Sequence, residues 1–248
     1  MAVVTGAARG MGACFAAGLA SQGVHVIGVD INEEELKASF AQARTTIGGT
    51  ADGEGSLDTM QCDVSSSEQM IKVATEAENR FGRLDIWVNN AGVFPQSDLG
   101  SVTTEQVRQT FSVNVDGVIF GAQAAAGIMN PGGVIINMAS VAAFRVRRGR
   151  AIYSATKAAV HNLTQSLAVE LGDQGIRVNA LAPGFIDTEM TNWVREVPGA
   201  MDKALASIPL GRIGTPEQVL GALLFLVSDS ASYVSGQTLG VDGGSRHG

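Results

Sequence analysis

Apolar positions along the chain fall into two alternating kinds of segment. Short, nearly continuous apolar runs predict strands over 2–5, 24–30, 59–63, 84–89, 133–139, 177–181 and 238–241. Helix-like segments lie between them, over roughly 11–22, 33–46, 67–81, 104–129, 152–172 and 216–228. Strand–helix alternation of this kind reads as βαβ units around a parallel sheet. The strands are continuously apolar, as expected where helices cover both faces. The expected class is α/β: a doubly wound, seven-stranded parallel sheet with helices on both faces, the Rossmann arrangement. No internal repeat and no linker divides residues 1–248, so a single domain is expected. GGTADGEGS at 48–56 reads as a surface loop. The stretch over about 185–212, with Pro198 and Pro209, reads as a mobile lid over a site.

Composition narrows the function more than the fold. The chain has 248 residues, 45% hydrophobic and 17% charged, within the range of one large globular domain. A net charge of −7 argues against a nucleic-acid partner. Runs such as ALLFLV are too short to cross a bilayer, so no membrane partner is expected. No secretory leader is expected ahead of the first motif. Cys14 and Cys62 fit neither a zinc spacing nor a disulfide framework, and the three histidines lack partners for a metal site. No metal and a reducing, cytoplasmic location are therefore expected.

Candidate chemistry begins at TGAARGMG, residues 5–12, between the first strand and the first helix. Gly6 allows a sharp exit from the strand. Gly10 and Gly12 remove side chains where a pyrophosphate would meet the helix N-terminus. Asp30 ends the second strand, where an acid can accept hydrogen bonds from adenosine ribose hydroxyls and repel a 2′-phosphate. That favours NAD over NADP, although Arg9 argues mildly the other way.

Tyr153 and Lys157 stand four residues apart, and Ser140 lies 13 residues before Tyr153. On a helix, i and i+4 share a face. A fixed cation favours the phenolate, and a nearby hydroxyl can hold a substrate oxygen beside it.

These landmarks resemble the short-chain dehydrogenase/reductase family over essentially the whole chain. They stand in order as TGAARGMG, Asp30, CDV at 62–64, NNAG at 89–92, Asn114, Ser140, YSATK at 153–157, and Pro183–Gly184 followed by Thr188. The tail SGQTLGVDGG at 235–244 is similar to the family's closing strand. The resemblance implies cofactor contacts from Gly6, Arg9, Gly10, Met11, Gly12, Asp30 and Ile31. It implies that Asp63 and Val64 flank the adenine, and that Asn90, Ala91 and Gly92 line the strand end beneath the cofactor. It implies that Pro183, Gly184, Ile186 and Thr188 border the nicotinamide, and that Tyr153 and Lys157 also touch the cofactor. It further implies that Asn114 holds a water linking Lys157 to solvent, and that the chain forms a homotetramer through the helices near 104–129 and 152–172.

The expected activity is NAD-dependent hydride transfer between a small-molecule secondary alcohol, or its ketone, and nicotinamide. Tyr153 would be general base or acid and Ser140 would stabilise the substrate oxygen. Two competing readings are a 3-oxoacyl-(acyl-carrier-protein) reductase and a non-catalytic nucleotide sensor. Arg145, Arg147, Arg148 and Arg150 crowd the loop before Tyr153. They suggest either an anionic substrate or, more economically, a solvated or subunit-contacting loop. His161, one turn beyond Lys157, reads as a packing residue.

Overall fold

Ala2, Val3 and Val4 are fully buried, and two of the three are β-branched, so they suit a central strand. In the computed structural model, which describes residues 1–47 and 55–247, they form β1 (Ala2–Thr5). The chain continues through α1 (Gly10–Ser21), β2 (Val26–Asp30), α2 (Glu33–Ile47), β3 (Leu57–Gln61), α3 (Ser67–Phe81) and β4 (Ile86–Asn89). Then follow α4 (Thr104–Phe111), α5 (Gly117–Ala126), β5 (Val134–Met138), α6 (Ala151–Glu170) and β6 (Arg177–Pro183). The last elements are α7 (Trp193–Glu196), α8 (Ala200–Leu205), α9 (Pro216–Val227) and β7 (Thr238–Val241).

Among the described residues, seven parallel strands form one sheet in the order β3-β2-β1-β4-β5-β6-β7. Phe15 and Leu19 of α1, Leu36 and Phe40 of α2, and Leu223 of α9 build the core on one face. Met70 and Val73 of α3 and Ala122 and Ala125 of α5 build the core on the other. Sequence order reverses between β1 and β4. The two chains leaving those strands therefore diverge to opposite faces and open a crevice at their carboxyl ends.

Several expected boundaries move by one or two residues, and two departures have a clear physical reason. The third strand lies two residues earlier than expected, because pairing with β2 sets Val26 opposite Leu57 and Asp30 opposite Gln61. Asp63 falls outside it and closes a turn instead. The expected helix over 104–129 is broken in the middle. Residues Ser112–Asp116 widen into a π turn, and Asn114 inside it turns its amide onto the backbone of Val93. The expected loop at 48–56 falls, for residues 48–54, outside the described residues. Between β6 and α9, α7 and α8 fold over a small core of their own made by Phe185, Val194, Ala204 and Ile208. Among the described residues, no helix is long and apolar enough to cross a membrane.

Candidate functional site

The loop after β1 is held by its neighbours rather than by its own side chains. Gly6 has φ +63°, and a Cβ at Gly12 would collide with the Gly6 carbonyl. Asn90 Nδ2 donates to the carbonyls of Thr5 (2.9 Å) and Gly6 (3.0 Å). Thr5 Oγ1 accepts the N–H groups of Asn90 (2.9 Å) and Ala91 (3.0 Å). Strands β1 and β4 are thus laced together where the crevice opens. Helix α1 starts at Gly10 with Arg9 as N-cap, whose side chain makes no capping bond. Its first amides are left for an outside acceptor, which suits a pyrophosphate.

At the end of β2 the Asp30 carboxylate accepts Ala8 N–H (3.1 Å) on one oxygen and Asn32 N–H (3.0 Å) on the other. It is fixed beside the loop, with lone pairs left for ribose hydroxyls. Arg9 is tied elsewhere: it bonds Glu189 at 2.8 Å and lies 3.7 Å from Glu35. Ile31 is exposed next to Asp30, and Val64 is buried against Gly117. Asp63 spends one oxygen on the N–H (2.9 Å) and hydroxyl (2.7 Å) of Ser65. These residues fit an adenosine half lying across the ends of β2 and β3.

Beyond the crevice, β5 delivers Ser140 and the start of α6 delivers Tyr153. Both line one cleft of about 940 Å3, counting the part open to solvent. Met11, Asn90, Gly92, Pro183, Gly184, Ile186 and Thr188 line the same cleft, so the expected nicotinamide contacts and the expected chemistry share one space. Gly184 N–H donates to Val241 (3.0 Å) and Ile186 bridges to Gly214, which steers the chain after β6 back over the loop. The Thr188 methyl would stand 3.6 Å from a Cβ on Gly10, so this chain faces the start of α1.

Lys157 is buried, donates to the Met138 carbonyl at 2.7 Å, and lies 5.7 Å from the Tyr153 ring centroid. Asn114 is buried too. Its Oδ1 accepts Val93 N–H (2.8 Å), while Nδ2 donates to the Val93 carbonyl (2.9 Å) and Thr156 Oγ1 (3.1 Å). Gly92 sits between the two polar groups. A Cβ there would lie 3.3 Å from Asn114 Oδ1 and 3.6 Å from Lys157 Nζ. Any larger residue would fill the space between them.

The electrostatics revise one expectation. The Tyr153 phenol stands above its ordinary value, because burial outweighs its polar neighbours. The groups that pull it down are the Ser140 hydroxyl and the Arg150 guanidinium, not Lys157. Burial lowers Lys157 itself to about 8. The sign for stability follows. Between about pH 8 and the ordinary lysine range, the unfolded chain binds the proton that the folded chain has released, so stability rises with pH there. Below pH 8 the buried charge is a full cost. Lys157→Met is therefore expected to melt at pH 7 no lower than the wild type while losing activity. Calorimetric Tm values for the two proteins check this, and a clear drop for the variant would refute it.

Other candidates fall away. His161 bonds Thr238 Oγ1 (2.9 Å) and meets Phe144 edge-on, so it packs α6 against β7. His25 stacks on Phe81. Burial raises both thiols, Cys14 and Cys62, to about 11, which makes them inert at neutral pH. Among the described residues, no three His, Cys, Asp or Glu side chains are grouped to hold a metal. The sequence reads Met190, Trp193 and Val194, just after Thr188, as an apolar group that either covers substrate or packs the lid; Met190 and Trp193 line the cleft. Sequence reasoning missed two other aromatic residues of the lining: Phe94, which meets Tyr153 edge-on at 4.6 Å, and Phe185. No motif marks these two.

Comparisons with known proteins agree with this geometry. A family model described as enoyl-(acyl carrier protein) reductase matches residues 6–246. A 3-oxoacyl-[acyl-carrier-protein] reductase of Thermotoga maritima is 37% identical, covering 98% of this chain and 96% of the relative. A galactitol 2-dehydrogenase of Agrobacterium fabrum is 38% identical, with the same coverage. Among solved structures, a short-chain dehydrogenase of Burkholderia cenocepacia in complex with NADP superposes with a TM-score of 0.89. It is 33% identical, covering 98% of this chain and 96% of that one. The chain belongs to the short-chain dehydrogenase/reductase family of oxidoreductases.

Proposed function

We propose that the protein is an NAD-dependent dehydrogenase or reductase of a secondary alcohol and its ketone, with Tyr153 as the proton-transferring group. The observation that carries this is the meeting of Ser140, Tyr153 and Lys157 in the cleft that Met11, Gly184 and Thr188 also line. NAD, when bound there, supplies the hydride acceptor or donor.

The protein's part is orientation and proton handling. In oxidation Tyr153, as phenolate, takes the proton of the substrate hydroxyl. The Ser140 hydroxyl bonds the same oxygen and stabilises charge building on it. Lys157, fixed by the Met138 carbonyl, holds the cofactor ribose and refills the proton through the space beside Gly92 toward Asn114. In reduction the neutral phenol gives its proton instead. The segment over about 185–212 closes over substrate as a lid, and the Arg9–Glu189 pair links it to the cofactor loop.

A pH dependence follows. Oxidation needs the phenolate, so its kcat/KM is expected to rise with pH until the phenol is ionised. Reduction needs the neutral phenol and is expected to fall over the same range. Rates in both directions from pH 6 to 10 check this; parallel profiles would count against Tyr153.

Asp30 supports NAD over NADP, and the engagement of Arg9 by Glu189 and Glu35 strengthens that choice. The alternative is reduction of 3-oxoacyl carrier-protein thioesters, the activity named for the Thermotoga relative. The arginines of the cleft favour it, and assay with a 3-oxoacyl thioester and each reduced cofactor separates the two. A homotetramer in the cytoplasm completes the reading.

A further inference from the structure

The four arginines between Ser140 and Tyr153 separate in space. Arg148 points outward and pairs with Asp98 at 3.1 Å. Arg145 donates to the carbonyls of Ser207 (3.0 Å) and Ser245 (2.7 Å), stapling its loop to the chain's end. Arg147 donates to Ser207 Oγ (2.7 Å) and lies over Phe185. These three have protein partners that account for them.

Arg150 does not. It lines the cleft three residues before Tyr153 and is half-buried, yet among the described residues its guanidinium makes no hydrogen bond or ion pair; only its carbonyl is engaged, by Ser154 N–H at 2.8 Å. Three rings surround its guanidinium: Phe94 at 5.0 Å, Trp193 at 5.1 Å and Phe185 at 5.8 Å. Ring faces hold a cation, but they offer no oxygen to its five N–H donors. A second donor beside it is also unpaired. Trp193 Nε1 is buried and has no acceptor. The cleft lining contains no aspartate or glutamate. In a chain of net charge −7, the pocket is cationic. The one nearby group that can become an anion is the Tyr153 phenol, which burial keeps neutral, so the half-buried charge is costly and an oxyanion on the ligand would offset that cost.

We propose that Arg150 is a specificity-determining residue that binds an anionic group of the substrate, a carboxylate or similar oxyanion. This rests on the reading of Tyr153 as the proton-transfer residue. Arg150 stands one helical turn before it, so the anion and the reacting carbinol belong to one small molecule, a short hydroxy or oxo acid. Phe94 and Phe185 flank the carbon skeleton between them.

Binding tests this better than rate, because removing the guanidinium also raises the Tyr153 phenol. The full chain, saturated with NADH, is titrated calorimetrically with cyclohexanecarboxylate and with butyrate, each against its neutral amide. At least one acid is expected to bind the wild type more tightly than its amide. Arg150→Gln is expected to weaken that acid by roughly 10- to 100-fold, the range for a lost charge-assisted bond in a desolvated site. Its affinity for the amide and for NADH should stay within about twofold, as should every value for Arg148→Gln. Arg150→Lys, which keeps the charge, should recover part of the loss. Acids and amides binding alike, or no acid binding, would overturn the proposal. So would a loss of NADH affinity as large as the loss for the acid, which would assign Arg150 to the cofactor. In parallel, 4-hydroxycyclohexanecarboxylate, 3-hydroxybutyrate and their amides are assayed with NAD. Failure of all four to reduce NAD counts against the hydride-transfer reading and leaves the calorimetry to decide the anion site.

Discussion

Tyr153→Phe is expected to bind NAD as the wild type does and to lose about 10²- to 10⁴-fold in kcat, the usual contribution of a positioned acid–base group. The substitution removes one oxygen and keeps the ring. The edge-on contact with Phe94 at 4.6 Å and the packing of the first turn of α6 are therefore retained. What is lost is the hydroxyl proposed to accept and donate the proton at the substrate oxygen. Lys157 does not take its place, because its ammonium is anchored on the Met138 carbonyl, 5.7 Å from the Tyr153 ring centroid. Ser140 cannot either. Its hydroxyl accepts Ala142 N–H at 3.1 Å and has no base behind it. Fluorescence titration of NADH and steady-state rates at saturating cofactor separate binding from chemistry. A variant with near-normal kcat would remove Tyr153 from the mechanism.

The second large effect concerns the choice of cofactor. Wild type is expected to prefer NAD over NADP, and Asp30→Ala to cut that preference by roughly 10²- to 10³-fold, as expected when a like-charge juxtaposition worth several kcal/mol is relieved. The argument rests on rigidity as well as charge. A free carboxylate could turn away from a 2′-phosphate, but this one is held by Ala8 N–H and Asn32 N–H on either side. The adjacent guanidinium of Arg9 is already shared by two glutamates, so it cannot neutralise the incoming phosphate without breaking a pair. The ratio of kcat/KM values for the two cofactors, in both proteins, checks this. Equal use of NAD and NADP by the wild type would refute it.

The sheet was legible because its strands are buried on both faces and read as unbroken apolar runs; Val134–Met138 is an example. The exposed edge behaves differently. Two residues of β7 are exposed, and its short run at 238–241 was the least buried of the expected strands; the resemblance of the tail added to that reading. The glycine loop was legible because sterics force it: nothing larger than glycine fits at residue 12. The break at Asn114 was only half legible. An asparagine in an apolar run signals a buried polar partner, but not that the helix would widen to reach Val93. The sequence placed Lys157 beside Tyr153 and so suggested that the ammonium sets the phenol's acidity. Periodicity carries no information on burial, and burial reverses that balance. The arginine loop was least legible. Four arginines within six residues look equivalent, and only the fold separates a cation in the cleft from one on the surface.

The central claim is that this cleft moves a hydride between a secondary alcohol and NAD with Tyr153 as the base. The most direct measurement is a panel of secondary alcohols, diols, sugars, steroids, hydroxy acids and hydroxyacyl thioesters incubated with NAD, followed by the absorbance of the reduced cofactor, with Tyr153→Phe run alongside. Reduced cofactor is expected with at least one alcohol for the wild type and at a rate lower by about 10²-fold or more for the variant. No reduction of NAD by any alcohol, or equal rates in the two proteins, would contradict it.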